Sequence, residues 1–286
     1  MRKLLAYLTI ATIPLLSFSQ DFLSWQFNDR YFSFYVGTGS ATYFGELNSN
    51  TEINARPSVL TTGLEARLLN HIGARFELSY LALSESDANA PDSSFQRQRN
   101  LSFESNNFQA QFAFTYYLKS YRGDYHKRWM FDPYLVGGVG YLNYHPATTF
   151  GGERFLLREA KTEGTSYSKW VLNVPLGVGA KFRINEFLNI NAEVLYHITF
   201  TDYLDDVSGT YATEFSSSTA EFLSDRKDEA GVLNPTHYDL IGPGATRGNP
   251  DDNDSFLLVS IKAEIFIPPG LFSRRDKAVL KKPSAY

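Results

Sequence analysis

His197 is followed closely by Asp202, Asp205 and Asp206. An imidazole beside carboxylates is the arrangement that general acid–base hydrolysis uses, with the carboxylate orienting and charging the ring. Solvated acids near a histidine are far commoner than a hydrolase site, so no catalytic residue is assigned here. Asp251, Asp252, Asn253 and Asp254 offer hard oxygen ligands of the kind calcium takes, but the run lacks the glycine and distal glutamate of a calcium loop and reads as a polar loop tip. His71, His126, His145, His197 and His237 show no ligand spacing, and there is no cysteine. Neither a structural zinc site, nor a disulfide, nor an acylated N-terminal thiol is therefore expected, and no cofactor is implied. With 27 basic against 31 acidic residues the net charge is −4, which argues against a nucleic-acid partner.

The N-terminus decides which solvent these residues meet. Arg2 and Lys3 precede an apolar stretch from Leu4 to Phe18, and small Ser17 and Ser19 stand before Gln20. This is the pattern of a secretory signal peptide over 1–19. The apolar stretch is shorter than the roughly twenty residues a spanning helix needs, and Pro14 would interrupt one. Residues 20–30 then form an N-terminal periplasmic segment.

From residue 31 the apolar residues alternate with a period of two, the mark of strands with one dry face. Eight such segments are predicted: Tyr31–Tyr43, Val59–Leu69, Ile72–Leu83, Phe103–Leu118, Asp132–His145, Trp170–Phe182, Leu188–Thr199 and Ser255–Ile267. Their connections differ in length. Turns at Asn70-His71 and Asn185-Glu186 are tight, Lys119 to Phe131 is moderate, and the other connections are long. An even number of antiparallel strands with short turns on one rim and long loops on the other is the outer-membrane pattern. The fold class is therefore all-β, an antiparallel transmembrane β-barrel of eight strands in an up-and-down meander over 31–267, exported to the outer membrane.

Alternation alone does not say which face is dry, and a soluble periplasmic lipocalin-like barrel would carry the same period. The polar faces decide for lipid outside. They hold Glu65, Arg67, Arg75, Glu77, Lys181, Glu193, Lys262 and Glu264, four acids and four bases separated by Gly, Asn and Gln, as a narrow lumen that must neutralise its own charges requires. Tyr31, Phe32, Tyr116, Tyr117, Trp129, Phe131, Trp170, Phe200, Tyr203 and Phe266, near the strand ends, are assigned to two interfacial girdles. Eight strands enclose only enough room for side chains, so a pore is not expected.

Two blocks carry a resemblance. Tyr43-Phe44-Gly45-Glu46-Leu47-Asn48 is similar to a Tyr-x-Gly-Asp/Glu-Leu pattern, and Arg97-Gln98-Arg99-Asn100-Leu101-Ser102-Phe103-Glu104-Ser105 to an Arg-x-Arg-Asn-Leu-Ser-Phe-x-Ser block. Both patterns belong to the Bacteroidota outer-membrane barrel family that contains the type IX secretion component PorG. The resemblance implies an integral, non-enzymatic barrel that associates with a periplasmic lipoprotein ring of the secretion and gliding machinery. Physically, Gly45 would relieve the backbone as it leaves the first strand, and Arg97 and Arg99 would meet lipopolysaccharide phosphates outside. The tail 268–286, with Arg274, Arg275, Lys277, Lys281 and Lys282 against the single acid Asp276, is either a free basic end or a periplasmic docking segment. An outer-membrane enzyme with a loop-borne Asp/His site is the alternative function.

Overall fold

The computed structural model describes residues 31–47, 56–121 and 127–267. The expected signal peptide and 20–30 segment, His126 and the basic tail with its five cations lie outside the described residues. Strands β1 (Phe32–Phe44), β2 (Val59–Arg67), β3 (Ile72–Ser86), β4 (Ser102–Tyr117), β5 (Phe131–Asn143), β8 (Trp170–Arg183), β9 (Leu188–Thr199) and β10 (Ser255–Ile267) pair antiparallel in that order. β1 also pairs with β10 from Phe32↔Ile267 to Phe44↔Ser255, so these eight strands close into a barrel with no open edge among them. The remaining strands, β6 (Pro146–Phe150) and β7 (Glu153–Leu156), form a hairpin that continues the sheet from the outer end of β4.

Side chains alternate across the wall as the pleat dictates. Phe112, Val194 and Ile261 are 48%, 39% and 61% exposed on the outside, whereas Glu65 and Arg75 are 4% and 2% exposed within. An apolar belt outside and ions inside is the inverse of a soluble barrel, and the chain is an integral outer-membrane protein. No helix among the described residues is long and apolar enough to cross a membrane. The tight turns between β2 and β3 and between β8 and β9 share a rim with the start of β1 and the end of β10, so that rim is periplasmic. The opposite, extracellular rim carries the long connections.

Glycines on the inner face create room for rings. Tyr35 lies opposite Gly63 and Tyr134 opposite Gly179, and a Cβ at either glycine would overlap the tyrosine across from it. Each ring thus lies over its glycine and reaches an acid deeper in the lumen. Three of the aromatics assigned to the girdles point inward too. Tyr31, Tyr117 and Phe266 are 8%, 1% and 2% exposed, because each sits one register step from an outward residue. Tyr203 stacks on Tyr167 in the extracellular connections. Phe32, Tyr116, Trp129, Phe131, Trp170 and Phe200 do face outward.

Candidate functional site

Two polar assemblies occupy the axis of the barrel. The first fills the membrane-spanning lumen. Arg75 donates to Glu193 through both terminal nitrogens, at 2.5 and 3.1 Å, a fork that a lysine could not make. Lys262 bridges Glu193 and Glu77 at 2.6 Å each. Closer to the periplasm, Lys181 bridges Glu65 at 2.9 Å and Glu264 at 2.8 Å, and Arg67 meets Asp132 at 3.0 Å with its guanidinium carbon 3.7 Å from the centroid of the Tyr117 ring. Every one of these charges is buried. Neutral donors complete the shell: Tyr35 to Glu77, Tyr117 to Glu65, Tyr134 to Glu193, and Ser33, Asn189 and Asn191 to Glu264.

Sequence reasoning missed Asp132 and the tyrosines in this assembly. The glycines of β5 hide its two faces, so Asp132 gave no alternation signal, although its pairing position opposite Lys181 places it on the inner face. The tyrosines carry no charge to mark them in the sequence, although their hydroxyls are the polar handle that buried carboxylates take.

The second assembly caps the extracellular mouth, and both blocks that carry the resemblance lie in it. Ser94 caps the short helix Phe95–Arg99, and Asn100 closes it in the left-handed conformation, φ 57°, which turns the chain into β4. Arg99 is thereby directed inward. It is 3% exposed, grips Asp87 in a fork at 2.8 and 3.0 Å, and donates to the carbonyls of Arg247 and Glu46. The expected contact of Arg99 with lipopolysaccharide phosphate is therefore corrected: a guanidinium spent on these buried acceptors is not available to an external anion. Arg97 stays half-buried and pairs with Asp92 at 3.2 Å. Leu101 and Phe103 are buried, and the Ser102 hydroxyl lies 3.1 Å from that of Thr148.

The Gly45 reading is also corrected. Its backbone is not left-handed; a Cβ there would collide with the Tyr43 hydroxyl and the Asp254 carboxylate, so the glycine is a matter of space. Tyr43 donates to Asp254 at 2.5 Å, Leu47 is 1% exposed, and Glu46 accepts from the backbone of Asn249. Arg247 ties Glu163 at 2.9 Å and Asp206 to the same cap.

Arg99→Ala is expected to remove the guanidinium fork from Asp87 and to cost the cap about 3–5 kcal/mol. Protease cleavage of the extracellular connections in refolded vesicles should then rise about a hundred-fold or more, with the barrel still migrating as a folded band on an unheated gel. Equal cleavage of both proteins would show that Arg99 does not hold the cap.

The structure does not bring His197 together with the aspartates that follow it. The ring is fully buried and stacked on Phe256, and its Nδ1 lies 3.1 Å from Asn173 Oδ1 and 3.3 Å from Gln109 Nε2. Asp206 accepts from Thr162 and Tyr167 instead. Asp251, Asp252 and Asn253 form the exposed tip expected of them, but Asp254 turns inward and is fully buried. There it joins Glu46 and Asp202 in a cluster of carboxylates, the one group among the described residues with a metal-ligating arrangement. Asp205, 1% exposed, lies beside them. Burial, reinforced by the neighbouring carboxylates, pushes Glu46, Asp202 and Asp205 each up to about 7 and raises Asp254 as well.

Comparison with solved structures finds other outer-membrane barrels. Neisserial surface protein A is 11% identical, with 82% of this chain and 96% of that chain covered and a TM-score of 0.37. A major outer membrane protein from Thermus thermophilus is 12% identical over 83% and 99%, TM-score 0.40. Ail of Yersinia pestis is 8% identical over 84% and 99%, TM-score 0.35. No residue role is transferred from them. Among curated proteins, no sequence matches this chain. The family model described as a domain of unknown function, DUF6089, matches residues 15–222, and the chain belongs to that family.

Proposed function

We propose that this outer-membrane barrel is a non-enzymatic assembly and anchoring component of the type IX secretion and gliding machinery. In this reading outer-membrane lipid and lipopolysaccharide surround it, and a periplasmic lipoprotein ring docks on its short-turn rim and basic tail. The observation that carries the reading is the ion-paired lumen. With Arg75 forked onto Glu193 and Lys181 and Lys262 each bridging two acids, ion pairs fill the lumen among the described residues, and the working surfaces are the rims. The meeting of the two resemblance blocks supports it further, since Arg99 of one donates to the Glu46 carbonyl of the other. Burial of His197 away from Asp202, Asp205 and Asp206 favours a structural role for that histidine over catalysis.

Affinity purification from native outer membranes tests the proposal. Secretion-ring lipoproteins are expected to co-purify with the full chain and to be lost on deletion of 268–286, with barrel folding unchanged. A monomer that purifies without periplasmic lipoproteins under mild detergent would sink it.

A further inference from the structure

The carboxylate cluster at the extracellular mouth is built from segments far apart in sequence. Glu46 follows β1, Asp202 follows β9, and Asp254 immediately precedes β10. One oxygen from each lies within 4.8 Å of the others. Such a gathering of like charges needs a counter-charge, and among the described residues only Arg99 lies near enough to act on it, lowering Glu46 and Asp205 without pairing with either. The cap's guanidiniums are committed elsewhere, Arg99 to Asp87 and Arg247 to Glu163 and Asp206, and none of the four acids forms an ion pair with a described lysine or arginine.

Hydrogen bonding does not account for the cluster either. Asp254 is partly satisfied by the Tyr43 hydroxyl and the Leu204 amide, and Asp205 by the Val207 amide. Asp202 is 6% exposed, with the Ser208 hydroxyl and the Glu46 carboxyl close by, yet both of its carboxylate oxygens are buried without a hydrogen bond of good geometry, as are Glu46 Oε2 and Asp205 Oδ2. A native structure rarely buries so many bare acceptors in one place unless a ligand meets them.

We propose that Glu46, Asp202 and Asp254, with Asp205 beside them, bind a calcium ion that clasps the extracellular connections to the mouth of the barrel. The donors are all oxygen, which selects a hard cation over zinc or copper. Calcium accepts several carboxylates in irregular geometry at about 2.3–2.6 Å, bonds long enough to reach oxygens spread as these are. Magnesium bonds at about 2.0–2.1 Å and prefers to keep its water. The site is distinct from the linear run Asp251 to Asp254, from which it takes only Asp254.

The full chain, refolded in detergent micelles and stripped with EGTA, is titrated with calcium chloride by calorimetry at pH 8, where protons compete least. One calcium per chain is expected, with slower protease cleavage between Thr201 and Asp254 in calcium than in EGTA. Asp202→Asn and, independently, Glu46→Gln should each weaken uptake about ten-fold or more, since even outer-shell changes cost that much at metal sites. Both variants should also match or exceed the unsubstituted protein in EGTA, because each removes one of the repelling charges. The exposed control Asp251→Asn should bind as the unsubstituted protein does. No saturable uptake, uptake unchanged by both cluster variants, equal loss in Asp251→Asn, or tighter binding of magnesium would each overturn the assignment.

Discussion

Glu193→Ala is expected to lower the unfolding free energy of the barrel by about 3–5 kcal/mol, the cost of stranding buried cations. Glu193 takes both arms of Arg75 and one bond from Lys262. Its removal leaves Arg75 with no carboxylate and Lys262 with Glu77 alone. The measurement is the urea midpoint of the refolded protein in lipid vesicles, followed by the shift between folded and unfolded bands. A double change, Arg75→Met with Glu193→Leu, should recover much of the loss, because well-packed apolar groups replace a buried ion pair at little net cost. Additive losses would mean that the pair is not coupled in the folded lumen.

Ile261→Lys should cost about 2–4 kcal/mol in vesicles, the depth-dependent penalty for a cation facing lipid at the bilayer midplane. Ile261 lies midway along β10, opposite Thr38 and Ala192, and is 61% exposed. Ile198→Lys, on the same lipid-facing surface but at the outer end of β9, should cost only about 0–1 kcal/mol. The gradient matters more than either value. A wall facing water would accept lysine equally at both depths, so equal and small losses would refute the lipid-facing assignment.

How far the sequence alone specifies this molecule depends on the length scale of the signal. Alternation is local and repeated, so all eight wall strands could be located to within a few residues, and the faces of all but the glycine-rich β5 follow from the pleat. The β6–β7 hairpin could not. Pro146–Phe150 is short and has no clean period, and it becomes a strand because β4 extends past the rim and offers Glu104 and Ser105 as pairing partners. The cap was illegible for a different reason. Whether Arg99 meets an external phosphate or an internal Asp87 depends on the turn made by Asn100 and on a loop that arrives from Arg247, both outside any local pattern. Asp254 likewise looks like its exposed neighbours in sequence, and what distinguishes it is the Tyr43 hydroxyl reaching across from β1 together with the Leu204 amide.

The order in which the neutralising charges are synthesised has a consequence for assembly. Lys262 and Glu264 both lie on β10, the last wall strand among the described residues, and through them it is joined to β3, β8 and β9 as well as to Ser33 on β1. An open sheet awaiting that strand would present Glu77 and Glu193 lacking one cation, and Lys181 lacking one acid, to whatever medium surrounds it. Hydrocarbon does not tolerate that state, so the nascent ribbon must keep its concave side wet until the seam shuts. Closure and dehydration are then one cooperative event, with β10 as its trigger.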